Sequence, residues 1–238
     1  MTDSVPESLR IPSRFNGPKG SGNGGYSAGV VAGLLGGEAE VSLRRPVPLD
    51  TELQVARDDG DAVRVLDGDV LVAEGRAGEV DVELPAPVGP DEARLARQRY
   101  RGSSDNIFSG CFVCGKARDD SFEVFAGPVE GRRLVASPWT PPPWSADPTG
   151  HVRPEFAWAA LDCPTYFAAY MGEEGVFSVL ARFTARIEAD IPAGTEHTVI
   201  AWPLESEGRK RHAGSALLSA EGETLAVASA LLVEPRAG

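Results

Sequence analysis

The stretch Asn23-Gly-Gly-Tyr-Ser-Ala-Gly-Val-Val-Ala-Gly-Leu-Leu35 joins a glycine-rich turn to a segment in which small and aliphatic residues are interleaved. The glycines at positions 22, 24 and 25 predict a tight turn with exposed backbone amides. The segment from Tyr26 onward predicts a helix, but its two internal glycines give it a low intrinsic helix propensity. We therefore expect a buried helix that is enclosed by a sheet and approached closely at its small residues.

A second apolar helix is predicted from Val152 to Ala169, and it carries one carboxylate, Asp162. Its first turn holds a proline and an acid, which suit a helix N-terminus. The run Phe156–Leu161 is apolar on all sides and predicts burial. Pro164 removes a backbone donor, so we expect a kink there. Asp162 then has two interpretations, a functional carboxylate or the N-cap of a helical segment beyond the kink.

The two halves of the chain share an ordered pattern. Residues 67–75 are similar to residues 221–229, because in each an acidic-Gly-acidic turn precedes an apolar strand. A proline-containing break at 47–50 corresponds to one at 191–194. Each half predicts helix, strand, break, strand, turn and strand. We interpret this as a duplication with an N-terminal domain (1–90), a linker (91–110) and a C-terminal domain (111–238). Within the linker, residues 91–101 predict a short helix or an extended connector, and residues 103–110 predict a loop.

Composition limits the classes of function. The 238 residues are 42% apolar, enough for two domains of ordinary size, and no apolar run could span a bilayer. The net charge of −12 argues against nucleic-acid binding. It does not exclude an anionic small-molecule ligand, because a local basic cluster such as residues 209–211 is enough to bind one. An odd cysteine count of three and a polar N-terminus without a secretory signal predict no disulfide framework and a cytoplasmic location.

The turn and the acid together resemble the active site of hotdog-fold acyl-CoA thioesterases, in which a His-Gly-Gly turn enters a sheet-wrapped helix and an acid follows nine residues after the histidine. Here Asn23-Gly24-Gly25 resembles the turn, but nine residues later stands Ala32. In the other half, nine residues after Arg153 stands Asp162, but the glycines are absent. The resemblance implies an α+β double hotdog, with two hotdog domains in one chain forming a continuous antiparallel sheet around two central helices.

In hotdog thioesterases the site lies between paired hotdogs, so the resemblance implies one composite site. Asp162 is expected to act as base or nucleophile, the Gly25 amide to polarise the thioester carbonyl, and Asn23 to orient the water or the carbonyl. The mirror-image site, with Ala32 in place of the acid, is expected to be inactive. The resemblance implies no cofactor and a homodimer of chains. Candidate substrate contacts are Gly24, Tyr26, Thr184, Tyr166, Arg209 and Lys210.

The thioesterase II type of the family, which residues 41–50 and 67–77 also resemble, places a threonine and a glutamine beside the aspartate. At the corresponding places this chain has apolar residues around Leu180 and Ala230, and Thr184 is the nearest hydroxyl. This difference keeps a second interpretation open, a non-catalytic protein that binds acyl-CoA or another hydrophobic ligand. A related enoyl-CoA hydratase activity is less consistent, because no histidine follows Asp162 at short spacing.

Cys111-Phe-Val-Cys114 has the spacing of half a zinc site or of a redox pair. A structural zinc ion needs four ligands, and the sequence has no second Cys-x-x-Cys. We therefore predict no metal and interpret the cysteines as buried structural thiols. The remaining candidate ligands are scattered along the chain: Cys163, His151, His197 and His212.

Overall fold

The computed structural model describes residues 6–36, 38–57, 62–102, 108–173 and 176–235. Within these ranges the helices are α1 (Gly24–Gly33), α2 (Pro90–Arg97) and α3 (Pro154–Ala169). The strands are β1 (Ser8–Leu9), β2 (Ala39–Leu43), β3 (Leu53–Arg57), β4 (Val63–Asp67), β5 (Val70–Ala77), β6 (Gly127–Pro128), β7 (Val135–Trp139), β8 (Val179–Ile187), β9 (His197–Glu207), β10 (Lys210–Leu218) and β11 (Thr224–Val233). No helix in these ranges combines the length and the apolar character needed to cross a bilayer.

All strands belong to one sheet, in the order β1-β3-β4-β5-β2-β8-β11-β10-β9-β7-β6. The four strands after α1 and the four strands after α3 have equivalent positions on either side of the antiparallel β2–β8 pair, where Ala39 lies opposite Ala185. The acidic-Gly-acidic segments form the β4–β5 and β10–β11 turns, with Gly68 and Gly222 at φ values of 58° and 86°. The predicted repeat and the continuous antiparallel sheet are confirmed, and each central helix is followed by four strands, one more than predicted.

The two central helices touch through small residues. A Cβ atom on Gly25 would lie 2.4 Å from the Asp162 Cβ, and one on Gly29 would lie 2.7 Å from the Glu155 Cα. Both distances are shorter than a normal contact between carbon atoms. Gly25 and Gly29 of α1 therefore serve close helix packing, as the sequence predicts. Asn23 caps the N-terminus of α1, because its side-chain oxygen accepts a hydrogen bond from the N–H of Tyr26 at 2.8 Å.

The second central helix, α3, continues through Pro164 to Ala169. The hydroxyl of Thr165 donates to the carbonyl oxygen of Asp162 at 2.6 Å within this continuous helix. No separate helical segment begins after Pro164, so the interpretation of Asp162 as its N-cap is wrong. The side chain of Asp162 is instead directed at the other helix.

The predicted linker contains α2, which confirms the helix alternative, whereas residues 103–107 lie outside the described residues. Ala93 and Ala96 of α2 pack with Ile200 and Trp202 of β9 in a second apolar cluster. The neighbouring Val199 belongs to the main core, so α2 covers the opposite face of the sheet from α1 and α3. The limits of the two domains, the homodimer, the cytoplasmic location and the lack of nucleic-acid binding stay predictions.

Candidate active site

A cavity of about 360 Å³ lies where the turn before α1 meets the second half of α3. The turn contributes Asn23 and Gly24, and α3 contributes Asp162 and Tyr166. The remaining wall comes from the first residues of β8, the segment after β2 and the Cys111–Cys114 loop. The cavity therefore draws on both halves of the chain, as the expected composite site requires.

The acid of the second half is hydrogen bonded to the turn of the first half. Asp162 Oδ2 accepts the backbone N–H of Gly25 at 2.8 Å, and the residue is only 7% exposed. Burial raises the pKa of this carboxyl from its ordinary value to about 7, and the hydrogen bond from Gly25 opposes that rise. The carboxyl group thus lies in the cavity wall in a protected environment, where its ionisation is energetically costly.

The backbone amides of Gly24 and Gly25 at the start of α1 differ in whether they have an acceptor. The N–H of Gly25 is already engaged by Asp162. Gly24 lines the cavity as the first residue of α1, and its N–H has no acceptor among the described residues. An unpaired N–H at a helix N-terminus is a natural donor to an oxygen that carries negative charge. The donor role predicted for Gly25 stays a prediction, and Gly24 is a second candidate for it because the Gly25 N–H is bonded to the carboxylate of Asp162.

Asn23 lines the cavity, but both ends of its side-chain amide contact the protein. Its oxygen caps α1, and its Nδ2 faces the Sγ atoms of Cys111 at 3.8 Å and Cys163 at 3.6 Å. A water or a substrate carbonyl at Asn23 would have to share these contacts. Tyr166 also lines the cavity, and its hydroxyl donates to the carbonyl oxygen of Val176.

Two predicted contact residues lie away from the cavity. Tyr26 stacks on Phe15 with ring centroids 4.3 Å apart and belongs to the aromatic core. Thr184 is buried on β8 between β2 and β11 and is not part of the cavity wall. The reason is strand alternation, because the adjacent Phe183 packs against Trp158 of α3 and so directs Thr184 to the opposite face.

Basic residues at the cavity are the main feature that the sequence analysis missed. Lys19 and Arg45 line the cavity and are exposed, and each is close in sequence to an element that forms its wall. The predicted Arg209 and Lys210 lie in the β9–β10 turn outside the lining, where Arg209 donates to the carbonyl oxygen of Glu234 at 2.6 Å. The proximity of Lys19 to the glycine turn was the signal that could have identified it.

No protein-family model and no curated protein matches the sequence. Solved structures match along almost the whole chain. The tesB protein of Mycobacterium avium subs paratuberculosis is 14% identical, with a TM-score of 0.59 over 98% of this chain and 95% of that chain. A conserved protein of unknown function with hot dog fold from Alicyclobacillus acidocaldarius is 10% identical, with a TM-score of 0.62 over 97% and 93%. The chain is a double hotdog.

A third match along almost the whole chain is a putative thioesterase from Novosphingobium aromaticivorans DSM 12444. It is 13% identical, with a TM-score of 0.61 over 96% of this chain and 95% of that chain. At such identities the likeness establishes the fold, so an argument about the reaction has to rest on the geometry of the cavity.

Proposed function

We propose that this double hotdog hydrolyses thioesters of coenzyme A, at one composite site formed by the turn of the first half and the acid of the second. One observation carries the proposal. Asp162 and the Asn23–Gly25 turn border the same cavity and are joined by the 2.8 Å hydrogen bond between Gly25 N and Asp162 Oδ2. The description of the structural relative from Novosphingobium aromaticivorans as a putative thioesterase supports the same class of reaction.

The chemistry follows from what the two sides offer. When water attacks the thioester carbon, the carbonyl oxygen gains negative charge, which the Gly24 N–H at the α1 N-terminus stabilises. In its ionised form Asp162 takes the proton of the attacking water, and the thiolate of the carrier leaves when the carbon–sulfur bond breaks. Alternatively, Asp162 attacks the carbon directly, the carbon–sulfur bond breaks to release the thiolate and leave an acyl-enzyme anhydride, and water then hydrolyses this anhydride. Both routes use the same two groups.

The cavity also suits the two ends of such a substrate. Lys19 and Arg45 at its edge provide positive charge for the phosphates of a coenzyme A carrier, despite the acidic chain. The inner wall is largely apolar and includes Phe167 and Leu180, which suit an acyl group. The cavity therefore favours an anionic carrier outside and a hydrophobic acyl chain inside.

A second candidate function is binding of an acyl-CoA without hydrolysis. Two observations favour it: the Gly25 N–H occupies one carboxylate oxygen of Asp162, and Thr184 lies outside the cavity. A binder needs the cavity but no activated water. Saturable acyl-CoA binding without thiol release would identify this function.

The test compares the wild type with Asp162→Asn on short-, medium- and long-chain and aromatic acyl-CoAs. Products are separated by chromatography, because the three cysteines would react with a thiol dye. We expect kcat to fall by ~10²–10⁴-fold in the variant, the usual contribution of a general base. Glu155→Gln is the matched control, because it neutralises another α3 carboxylate that lies outside the cavity lining. Equal turnover in Asp162→Asn and the wild type would refute the proposed role.

A further inference from the structure

The three cysteines, far apart in sequence, form one cluster in the structure. The Sγ atoms of Cys111, Cys114 and Cys163 all lie within 4.8 Å of one another, and those of Cys111 and Cys163 are 3.8 Å apart. In a tetrahedral zinc site with Zn–S bonds of about 2.3 Å, two sulfur ligands are about 3.8 Å apart. The sulfur atoms of Cys111 and Cys163 thus already have the spacing of two ligands of one ion, and the Cys114 sulfur lies within 4.8 Å of both.

The backbone around Cys111 is shaped for this arrangement. The N–H of Val113 is directed at Cys111 Sγ at 3.4 Å, and the N–H of Gly115 donates to the Cys111 carbonyl oxygen at 2.8 Å. A Cβ at position 115 would lie 2.4 Å from the carbonyl oxygen of Ser109 and 2.5 Å from that of Cys111, so the turn requires glycine. This tight turn presents both sulfur atoms of the Cys-x-x-Cys loop toward α3.

Asn23 completes the surroundings of the cluster. Its Nδ2 group faces the sulfur atoms of Cys111 and Cys163. N–H groups directed at sulfur stabilise the thiolate form that binds metals and orient the ligands, as outer partners do in metal sites. The same residue caps α1, so the cysteine cluster is connected directly to the turn that forms the cavity wall.

We propose that Cys111, Cys114 and Cys163 bind one Zn²⁺ ion whose fourth position faces the cavity beside Asp162. All three cysteines line the cavity, and no histidine or carboxylate among the described residues belongs to the cluster. The fourth ligand is therefore a water or a substrate atom. Three protein ligands with one open position are typical of zinc ions that contact a substrate. This site goes beyond the proposed hydrolysis, which needs no metal.

The first experiment measures the metal directly. The full chain is purified under reducing conditions without chelator, its zinc content is determined, and the reduced metal-free protein is titrated with Co²⁺ as a spectroscopic probe. We expect one equivalent of zinc per chain, and thiolate-to-cobalt charge-transfer bands with the intense visible bands of tetrahedral Co²⁺. A protein with three titratable thiols that gains no such bands and retains no zinc would overturn the proposal, as would a native disulfide within the cluster.

Variants then identify the ligands. Cys114→Ser removes one sulfur from the loop, and Cys163→Ser removes one from α3. Each should weaken zinc binding by at least ~100-fold, because changing a residue that only hydrogen bonds to a ligand can already cost that much. Val113→Ala is the matched control, because it shortens a buried side chain in the same turn and keeps every sulfur. Equal zinc affinity in all three variants and the wild type would overturn the assignment.

Two further measurements keep the test independent of folding defects and of catalysis. In the wild type, bound zinc should slow alkylation of all three thiols, and equal rates with and without zinc would contradict the site. Asp162→Asn should retain one equivalent of zinc while it loses turnover. Failure of the zinc site and failure of the proposed hydrolysis therefore give different results.

Discussion

Replacing Gly29 by alanine tests the contact between the central helices that brings the two halves of the site together. The new Cβ would lie 2.7 Å from the Glu155 Cα and 2.9 Å from the Trp158 Cβ. Carbon atoms in contact prefer about 3.5–4.0 Å. Because the Glu155 Cα is backbone, α1 and α3 have to separate by ~1 Å to make room. Overpacking of this kind costs ~1–3 kcal/mol.

The alanine also restores up to ~1 kcal/mol of helix propensity. After this offset we expect Gly29→Ala to lower the free energy of unfolding by ~0–2 kcal/mol, which corresponds to a Tm up to about 8 °C lower for a chain of this size. The assay is urea unfolding followed by circular dichroism, with the slope compared between variant and wild type to check that the unfolded state is unchanged.

Gly33→Ala is the matched control, because it lies in the same helix and a Cβ there meets nothing within 4 Å. It keeps the gain in helix propensity without the clash, so the free energy of unfolding should rise by ~0.5–1 kcal/mol. Because both variants share the gain in helix propensity, they should differ by the overpacking cost alone, about 1–3 kcal/mol. If both stabilise the protein by the same amount, the close contact between α1 and α3 is refuted.

Two other predictions concern pH and substrate charge. His197 is buried with its Nε2–H donating to the Pro192 carbonyl oxygen at 2.9 Å, and burial lowers its pKa. Its contribution to stability is therefore complete above the unfolded pKa of about 6.5 and is lost as the pH falls through the lower folded pKa. His197→Gln should reduce this fall in the free energy of unfolding at acidic pH, and an unchanged pH dependence would contradict the prediction. Replacing Lys19 and Arg45 by alanine should raise KM for acyl-CoA more than replacing Arg209 and Lys210 by alanine. The reverse order would place the phosphates of coenzyme A at the β9–β10 turn.

The fold could be predicted from the sequence because its signals are local and occur twice. The acidic-Gly-acidic turns at 67–69 and 221–223 mark hairpins in both halves, and the small residues of α1 indicate a helix approached by another. Alternation along β8 groups Thr184 with Arg182 and Arg186 on one face, and Leu180 is the one apolar residue among these even positions. The change of face at Leu180 could not be predicted, because it depends on a bulge in the β8–β11 pairing between Leu231 and Leu232. Leu180 therefore reaches the cavity while Thr184 does not.

The cysteine cluster depends on contacts that no local pattern shows. Cys163 follows Asp162 directly, so placing the acid at the turn also places this sulfur near Asn23. The position of the Cys111–Cys114 loop is set by a long-range backbone bond, because the N–H of Phe112 donates to the carbonyl oxygen of Asn16 at 3.0 Å. The sequence could suggest half a metal site, but only the tertiary fold brings the third sulfur to it.

The duplication explains why the acid and the glycine turn come together at one end of the helix pair and not at both. Asn23 caps α1 and Arg153 caps α3, so the residues that follow them occupy equivalent places. In α1 the next residue is Gly24, with a backbone donor at the cavity, whereas in α3 it is Pro154, which has no N–H. Nine residues after the caps the relation is reversed, because α3 carries Asp162 and α1 carries Ala32. A buried carboxylate costs folding free energy, so an acid is expected only at the place where the Gly25 N–H can donate to it.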